Sequence, residues 1–206
     1  MAEKDFFTKE IKGKAKAAIE HVEKHTSAEL VVTVRRESGF YRYADYLFGF
    51  GVAFVTLFGL LFLPQEFAVE IMPLDVALGF ILGTLISMAV SPLRRLLARR
   101  VHMSDAVAKA ARAAFVDQGI SRTSGRNGML VYVSAFERRV EVVCDVGIRT
   151  AEFGDAWVEW AKRLDAAVAS MNTDSFLGTL RELGQLLGPS MPRRADDVNE
   201  LADDVT

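Results

Sequence analysis

Apolar residues recur at helical spacing at the start of the chain, at Phe7, Ile11, Ala15, Ala18 and Val22, which predicts an amphipathic helix ending near His25 and Thr26. Glu29 to Val34 (ELVVTV) then reads as a strand, apolar on nearly both sides and therefore expected at the centre of a sheet. Ser104 is placed to cap a helix running through Gln118, with Val107, Ala111, Ala114 and Phe115 inward and Gly119 as its stop. Met129–Val133 and Arg139–Cys144 alternate as strands about the short turn Ala135 to Arg138. Two more helices are expected, Ala151–Ser170 and Asp174–Leu187, the second capped by Asn172 or Thr173 and closed by Gly188 and Pro189.

Between the first strand and the Ser104 helix the pattern changes kind. Tyr46 to Gln65 runs 20 residues without a charge, and Val76 to Leu93 another 18. Each is long enough to cross a hydrocarbon layer of about 30 Å at 1.5 Å per residue, so the pair predicts a transmembrane helical hairpin. A buried soluble hairpin is the competing reading, because the strictly apolar part of the first run, Leu47 to Leu63, is 17 residues. It would need the rest of the chain to enclose two helices that have no polar face.

The order is helix, strand, hairpin, helix, strand, strand, helix, helix. It is met compactly by an α/β fold: a small mixed three-stranded sheet packed by helices and interrupted by the two-helix hairpin. With the first two strands parallel, the Ser104 helix is their right-handed crossover. Four segments follow: residues 1–40 as the first part of the α/β domain, 43–95 as the hairpin, 96–190 as the second part, and 191–206 as an acidic disordered tail.

Charge gives a side. The loop from Pro64 to Asp75 holds Glu66, Glu70 and Asp75 and no base, whereas Arg35, Arg36 and Arg42 precede the first span and Arg94, Arg95, Arg99 and Arg100 follow the second. Basic flanks stay in the cytoplasm, so an inner-membrane protein with both termini cytoplasmic is expected. The charged opening, MAEKDFFTKEIKGKAK, has no signal-peptide core. Tyr41, Tyr43 and Tyr46 fall where an interfacial aromatic belt would lie. The arginine cluster after the second span would face anionic lipid.

Of 25 basic and 27 acidic residues, three acids lie in the loop and five in the tail, at Asp196, Asp197, Glu200, Asp203 and Asp204. Without that loop and the stretch from Ala195 to Thr206, the rest of the chain keeps 25 bases against 19 acids, an excess that suits a body held against an anionic leaflet. The whole chain has a net charge of −2, which excludes a strongly basic nucleic-acid binder. The single cysteine, Cys144, excludes a disulfide framework and a cysteine zinc site. Within the second span Gly79, Gly83 and Ser87 share one stripe, where another backbone can approach closely. The other span is the expected neighbour, and self-association as a homo-oligomer is the second reading.

Catalytic motifs are sparse. Cys144 and Arg149 stand one residue too close for the phosphate loop of thiol phosphatases, and Cys144 falls in a strand pattern. The stretch Ser124 to Gly128 has glycines but no Lys and no following helix, so it is a turn. His21 and His25 have metal-ligand spacing without a third ligand. The best polar constellation is Arg126, Asn127, Asp145 and Gly147, expected at one sheet edge, with the Glu137–Arg138 turn at the opposite, membrane-proximal edge. Asp145 could hold a divalent cation or cap a turn.

The run Ser124 to Ile148, SGRNGMLVYVSAFERRVEVVCDVGI, resembles the TPM domain family in its membrane-bound bacterial branch. That branch has an Arg and Gly opening an apolar strand, an acidic-Arg turn, a Val-Glu-Val strand and Asp-x-Gly-Ile. The opening helix, the His25–Leu30 strand start and the two-span insert are similar too, so the resemblance covers about residues 5–190. Arg126, Glu137, Arg138, Asp145 and Gly147 match the pattern, and Asn127 departs from its Arg-Thr-Gly opening. The resemblance implies a membrane-associated α/β domain, with acid phosphatase activity, photosystem II repair and calcium binding described among members. Bacterial members are often found near LemA-type membrane proteins. Two functions follow as expectations: a protein-interaction module in membrane-protein maintenance, or a metal-assisted phosphatase using Asp145 with Glu137 or Asp155.

Overall fold

The computed structural model describes residues 8–65, 67–193 and 200–201. Helix α1 (Lys9–Glu23) is capped by Thr8, whose hydroxyl accepts from the Ile11 amide, and it leads into β1 (Glu29–Arg35). Phe7, read as its first apolar contact, lies outside the described residues. Next come α2 (Arg42–Phe62), α3 (Met72–Ala89), the short α4 (Ser91–Leu97) and α5 (Arg100–Asp117). Strands β2 (Gly128–Ser134) and β3 (Arg139–Cys144) precede α6 (Gly154–Ala169) and α7 (Thr173–Leu187).

Two compact units divide the chain, one of residues 1–38 with 104–206 and one of residues 39–103. In the first, β1 pairs in parallel with β2 and β2 antiparallel with β3, giving the order β1-β2-β3. The centre is therefore β2, and β1, expected there, is an edge strand. Helices cover both faces of β1, and that burial gives the apolar pattern of a central strand at an edge position. Leu30, Val32 and Val34 of β1, with Met129, Val131 and Val133 of β2, meet Ile19, Trp160, Leu164 and Leu180 from α1, α6 and α7. On the opposite face Val31, Leu130 and Tyr132 meet Val107, Ala111 and Phe115 of α5. The alternation within each strand sets up two cores, one per face.

Three boundaries differ from expectation. Helix α5 starts at Arg100, with Ser104 inside its first turns, because nothing in Val101–Met103 stops a helix. Residues Thr150–Phe153 form a 3₁₀ turn before α6 starts at Gly154, whose φ of +52° breaks the continuous helix expected there. The body also continues past residue 190: the Met191 carbonyl accepts from the Ser27 amide at 3.0 Å and the Thr26 hydroxyl at 2.8 Å.

In the second unit, α2 and α3 pack as a hairpin and are long and apolar enough to cross a membrane. Both begin about four residues before the uncharged runs. Asp75 lies in the first turn of α3, where the helix dipole favours a carboxylate. Pro92 ends up in the first turn of α4, where its missing amide costs nothing.

Candidate functional site

The β2–β3 ladder determines what meets at its open end. It continues past the strands, with the Asp145 amide donating to the Gly128 carbonyl at 2.9 Å and the Gly147 amide to the Arg126 carbonyl at 2.8 Å. Arg126, Asn127, Asp145 and Gly147 are thus brought together. Asp145 is 5% exposed, and its Oδ1 accepts from Arg126 Nη2 at 2.9 Å and from the Val146 amide at 2.7 Å. Arg126 adopts φ +51°, and its Nη1 donates to the Ser121 carbonyl at 3.1 Å. Asn127 ties the turn to β1 by donating from Nδ2 to the Ser27 carbonyl, while its amide donates to Thr123 Oγ1 at 3.1 Å. Gly147 is required by approach: a Cβ there would stand 2.5 Å from the Arg126 carbonyl oxygen.

Two acceptors here, Asp145 Oδ2 and Asn127 Oδ1, are buried without a hydrogen-bond donor among the described residues. They bear on the calcium expectation. A calcium ion takes six to eight oxygens, several of them carboxylate. Asp145 is already neutralised by Arg126, and among the described residues no three His, Cys, Asp or Glu side chains group together. These residues do not fit a divalent cation; the arrangement is an ion-paired turn.

The other sheet end holds a second polar cluster. Glu137 is 4% exposed; its Oε1 accepts from the Ser38 amide at 2.8 Å and its Oε2 from the Ser134 hydroxyl. Ser38 Oγ lies 2.6 Å from Ser134 Oγ and 3.1 Å from the Tyr132 hydroxyl. A run of hydroxyls thus joins the end of β1 to the β2–β3 turn. Arg138 supplies the turn's left-handed residue at φ +51°. The sequence offered Glu137 as a turn residue, but the hydroxyls of Ser38, Tyr132 and Ser134 went unread because a strand pattern does not report its partners.

Glu137 precedes β3 and Asp145 follows it, so six strand residues separate them, about 20 Å. They cannot act on one phosphate together. Asp155 is exposed in the first turn of α6. Burial pushes the Cys144 thiol up to about 12, the opposite of what a thiolate nucleophile requires. His25 Nδ1 sits 2.7 Å from the His21 carbonyl, and the two rings lie 4.6 Å apart.

In the hairpin Gly79, Gly83 and Ser87 are buried against α2. A Cβ on Gly79 would meet Thr56 at 2.6 Å, one on Gly83 would meet Val52 at 2.8 Å, and Ser87 Oγ donates to Asp45 Oδ1 at 2.9 Å. Within this chain the stripe is occupied by the neighbouring span. Asp45, which the charge pattern passed over, is 2% exposed and also ion-paired to Arg94 Nε at 3.3 Å. The Arg94 guanidinium stacks over Tyr41, 5.9 Å from its centroid, and Tyr41 is buried. Arg94 and Tyr41 therefore leave the basic cluster and the aromatic belt assigned to them, drawn inward by the carboxylate. Arg99 and Arg100 are exposed and Arg95 is partly so.

Comparison with protein-family models gives no match, and comparison of the sequence with the curated proteins gives none. Among solved structures the fold is similar to the NMR structure of the BA42 protein from the psychrophilic bacterium Bizionia argentinensis, with a TM-score of 0.56 and 17% identity, covering 97% of this chain and 93% of that one.

Proposed function

We propose that the protein is a two-span inner-membrane protein whose α/β body, on the cytoplasmic side, docks a protein partner in the maintenance of membrane proteins. One observation carries the reading: the inserted unit is inside out. Phe50, Phe54, Phe58 and Leu82 face outward while Gly49, Gly79, Gly83, Ser87 and Asp45 line the seam, as expected where the solvent is lipid. Residues flanking the spans suit an interface, since exposed Phe40, Leu96 and Val101 alternate with Arg42, Arg95, Arg99 and Arg100. The acidic loop against basic flanks supports cytoplasmic termini. The body, with two cores and an ion-paired turn, offers a shaped surface for a partner, and a LemA-type membrane protein is the partner class that the family resemblance implies.

Topology is tested by cysteine labelling. Because burial favours the neutral Cys144 thiol, its thiolate is scarce near pH 7 and its reaction with maleimide is slower than in the unfolded chain. Against that background, Glu70→Cys is expected to label in intact cells with an impermeant maleimide, and Ser170→Cys only after permeabilisation. The reverse pattern inverts the topology. Docking is tested by co-purification in nanodiscs, comparing the full chain with residues 39–103 alone; equal recovery of partners by the hairpin removes the body's role.

A further inference from the structure

Glu200 and Leu201 sit in a formed seat on the body. Ser124 grips the Glu200 carboxylate twice, its amide donating to Oε2 at 3.0 Å and its hydroxyl to Oε1 at 2.5 Å. In the opposite sense, Glu29, buried at the start of β1, uses Oε2 to accept from the Glu200 amide at 3.3 Å and the Leu201 amide at 3.4 Å. Leu201 packs against the core that α5 shares with the sheet, the cluster to which Val31, Ile120 and Leu130 belong. Carboxylate, main-chain amides and aliphatic side chain are each met by a separate group. Such a seat reads chemistry: an acidic residue followed directly by an aliphatic one.

We infer that this seat, built from Ser124, Glu29 and the core cluster against which Leu201 packs, is a docking site for an acidic–aliphatic peptide of a partner protein, and that Glu200 and Leu201 occupy it in cis. The inference deepens the docking function proposed above and rests on it. Ser124 begins the turn that carries Arg126 and Asn127, so the seat adjoins the ion-paired sheet end. Affinity through a two-residue anchor is modest. A segment tethered to its own site has an effective concentration of about 1 mM, and that suffices to exclude a peptide of roughly 0.1 mM affinity about tenfold. A partner succeeds by presenting the same pair with additional contacts, or at high local concentration.

The test is a titration of the full chain in nanodiscs with a fluorescent peptide of residues 197–204, DVNELADD. The Glu200→Gln/Leu201→Ser chain, its own anchors removed, is expected to bind the peptide at least tenfold tighter than the unaltered chain. A scrambled peptide that separates Glu from Leu is expected not to bind. Adding Ser124→Ala to the released chain is expected to cut affinity at least fivefold. Ser124 is exposed, so this variant folds, and circular dichroism verifies it. Glu29→Gln tests the second clamp. Equal binding to unaltered and released chains, no binding to the released chain, or indifference to Ser124→Ala overturns the inference. No partner protein enters the titration, so this result and the co-purification above fail separately.

Discussion

The α/β body and the hairpin obey opposite rules with the same amino acids. In the body Trp160, Leu164, Phe176 and Leu180 are buried and the buried carboxylates Glu29, Glu137 and Asp145 stand at the ends of strands, whereas in the hairpin Phe54, Leu82 and Leu85 are exposed and the seam is glycine, alanine, serine and one aspartate. The difference shows where each structure gains its stability. Removing apolar surface from water drives the body together. Between the two spans, if they lie in lipid as proposed, that drive is absent, and close backbone approach with polar pairing replaces it.

The contrast breaks most visibly at large side chains. Leu164→Ala, at the centre of the body's larger core, is expected to cost about 2–5 kcal/mol in denaturant unfolding followed in nanodiscs. Leu85→Ala, on the outer surface of α3, is expected to cost under roughly 1 kcal/mol, because on the proposed membrane reading this side chain faces lipid whether or not the spans are packed together. Comparable losses at the two positions would show that the hairpin folds as an ordinary soluble core.

At glycines the ranking reverses. Gly83→Leu pushes a side chain into Val52 and the Gly49 backbone and is expected to cost about 1–3 kcal/mol, read as lost cross-linking between the two spans. Gly51→Leu meets nothing within 4 Å and serves as the neutral control. A weaker effect, smaller than that at Gly83, is expected from Asp45→Asn, which keeps an acceptor for Ser87 but takes the carboxylate from beside the Arg94 guanidinium. Arg94→Gln on top of it is expected to restore part of the loss, and simple additivity would mean that the two do not act as a pair.

The smallest change belongs to the exposed rim of the body. Hydrogen bonds from Ser124 hold the Glu200 carboxyl below its usual value of 4.5, so the contact is fully formed above that pH and is lost as pH falls through the lowered value. The Ser124 amide resonance, followed by NMR through that range, is expected to titrate with Glu200.

Periodicity carried most of the architecture. It located the helices from Val107 to Phe115 and from Phe176 to Leu187, both strands about the Glu137 turn, and the two uncharged spans, because each signal is local. Position in the sheet was not local. Val31 and Val32 are buried by different helices on opposite faces, so an edge strand carried a central strand's pattern. The site divided along the same line. Arg126, Asn127, Asp145 and Gly147 could be grouped because the hairpin register is set by a short turn. The partners of Asp45, Glu137 and Glu29 could not: apart from Ser134, three residues before Glu137, their serines, arginine and backbone amides lie tens of residues away, with no periodic signal connecting them.

The parallel pairing of β1 with β2 joins Glu29 to Gly128 across the whole insert. A ribosome delivering the chain from its N-terminus releases β1 long before any strand exists to pair with it. Loop closure over such a separation adds its entropic cost to the search, which places the body among slow, non-local folders. During that interval residues 39–103 have already emerged and β1 is an apolar edge without a neighbour, the kind of segment that aggregates. The order of synthesis thus makes the whole insert emerge before the sheet can be completed.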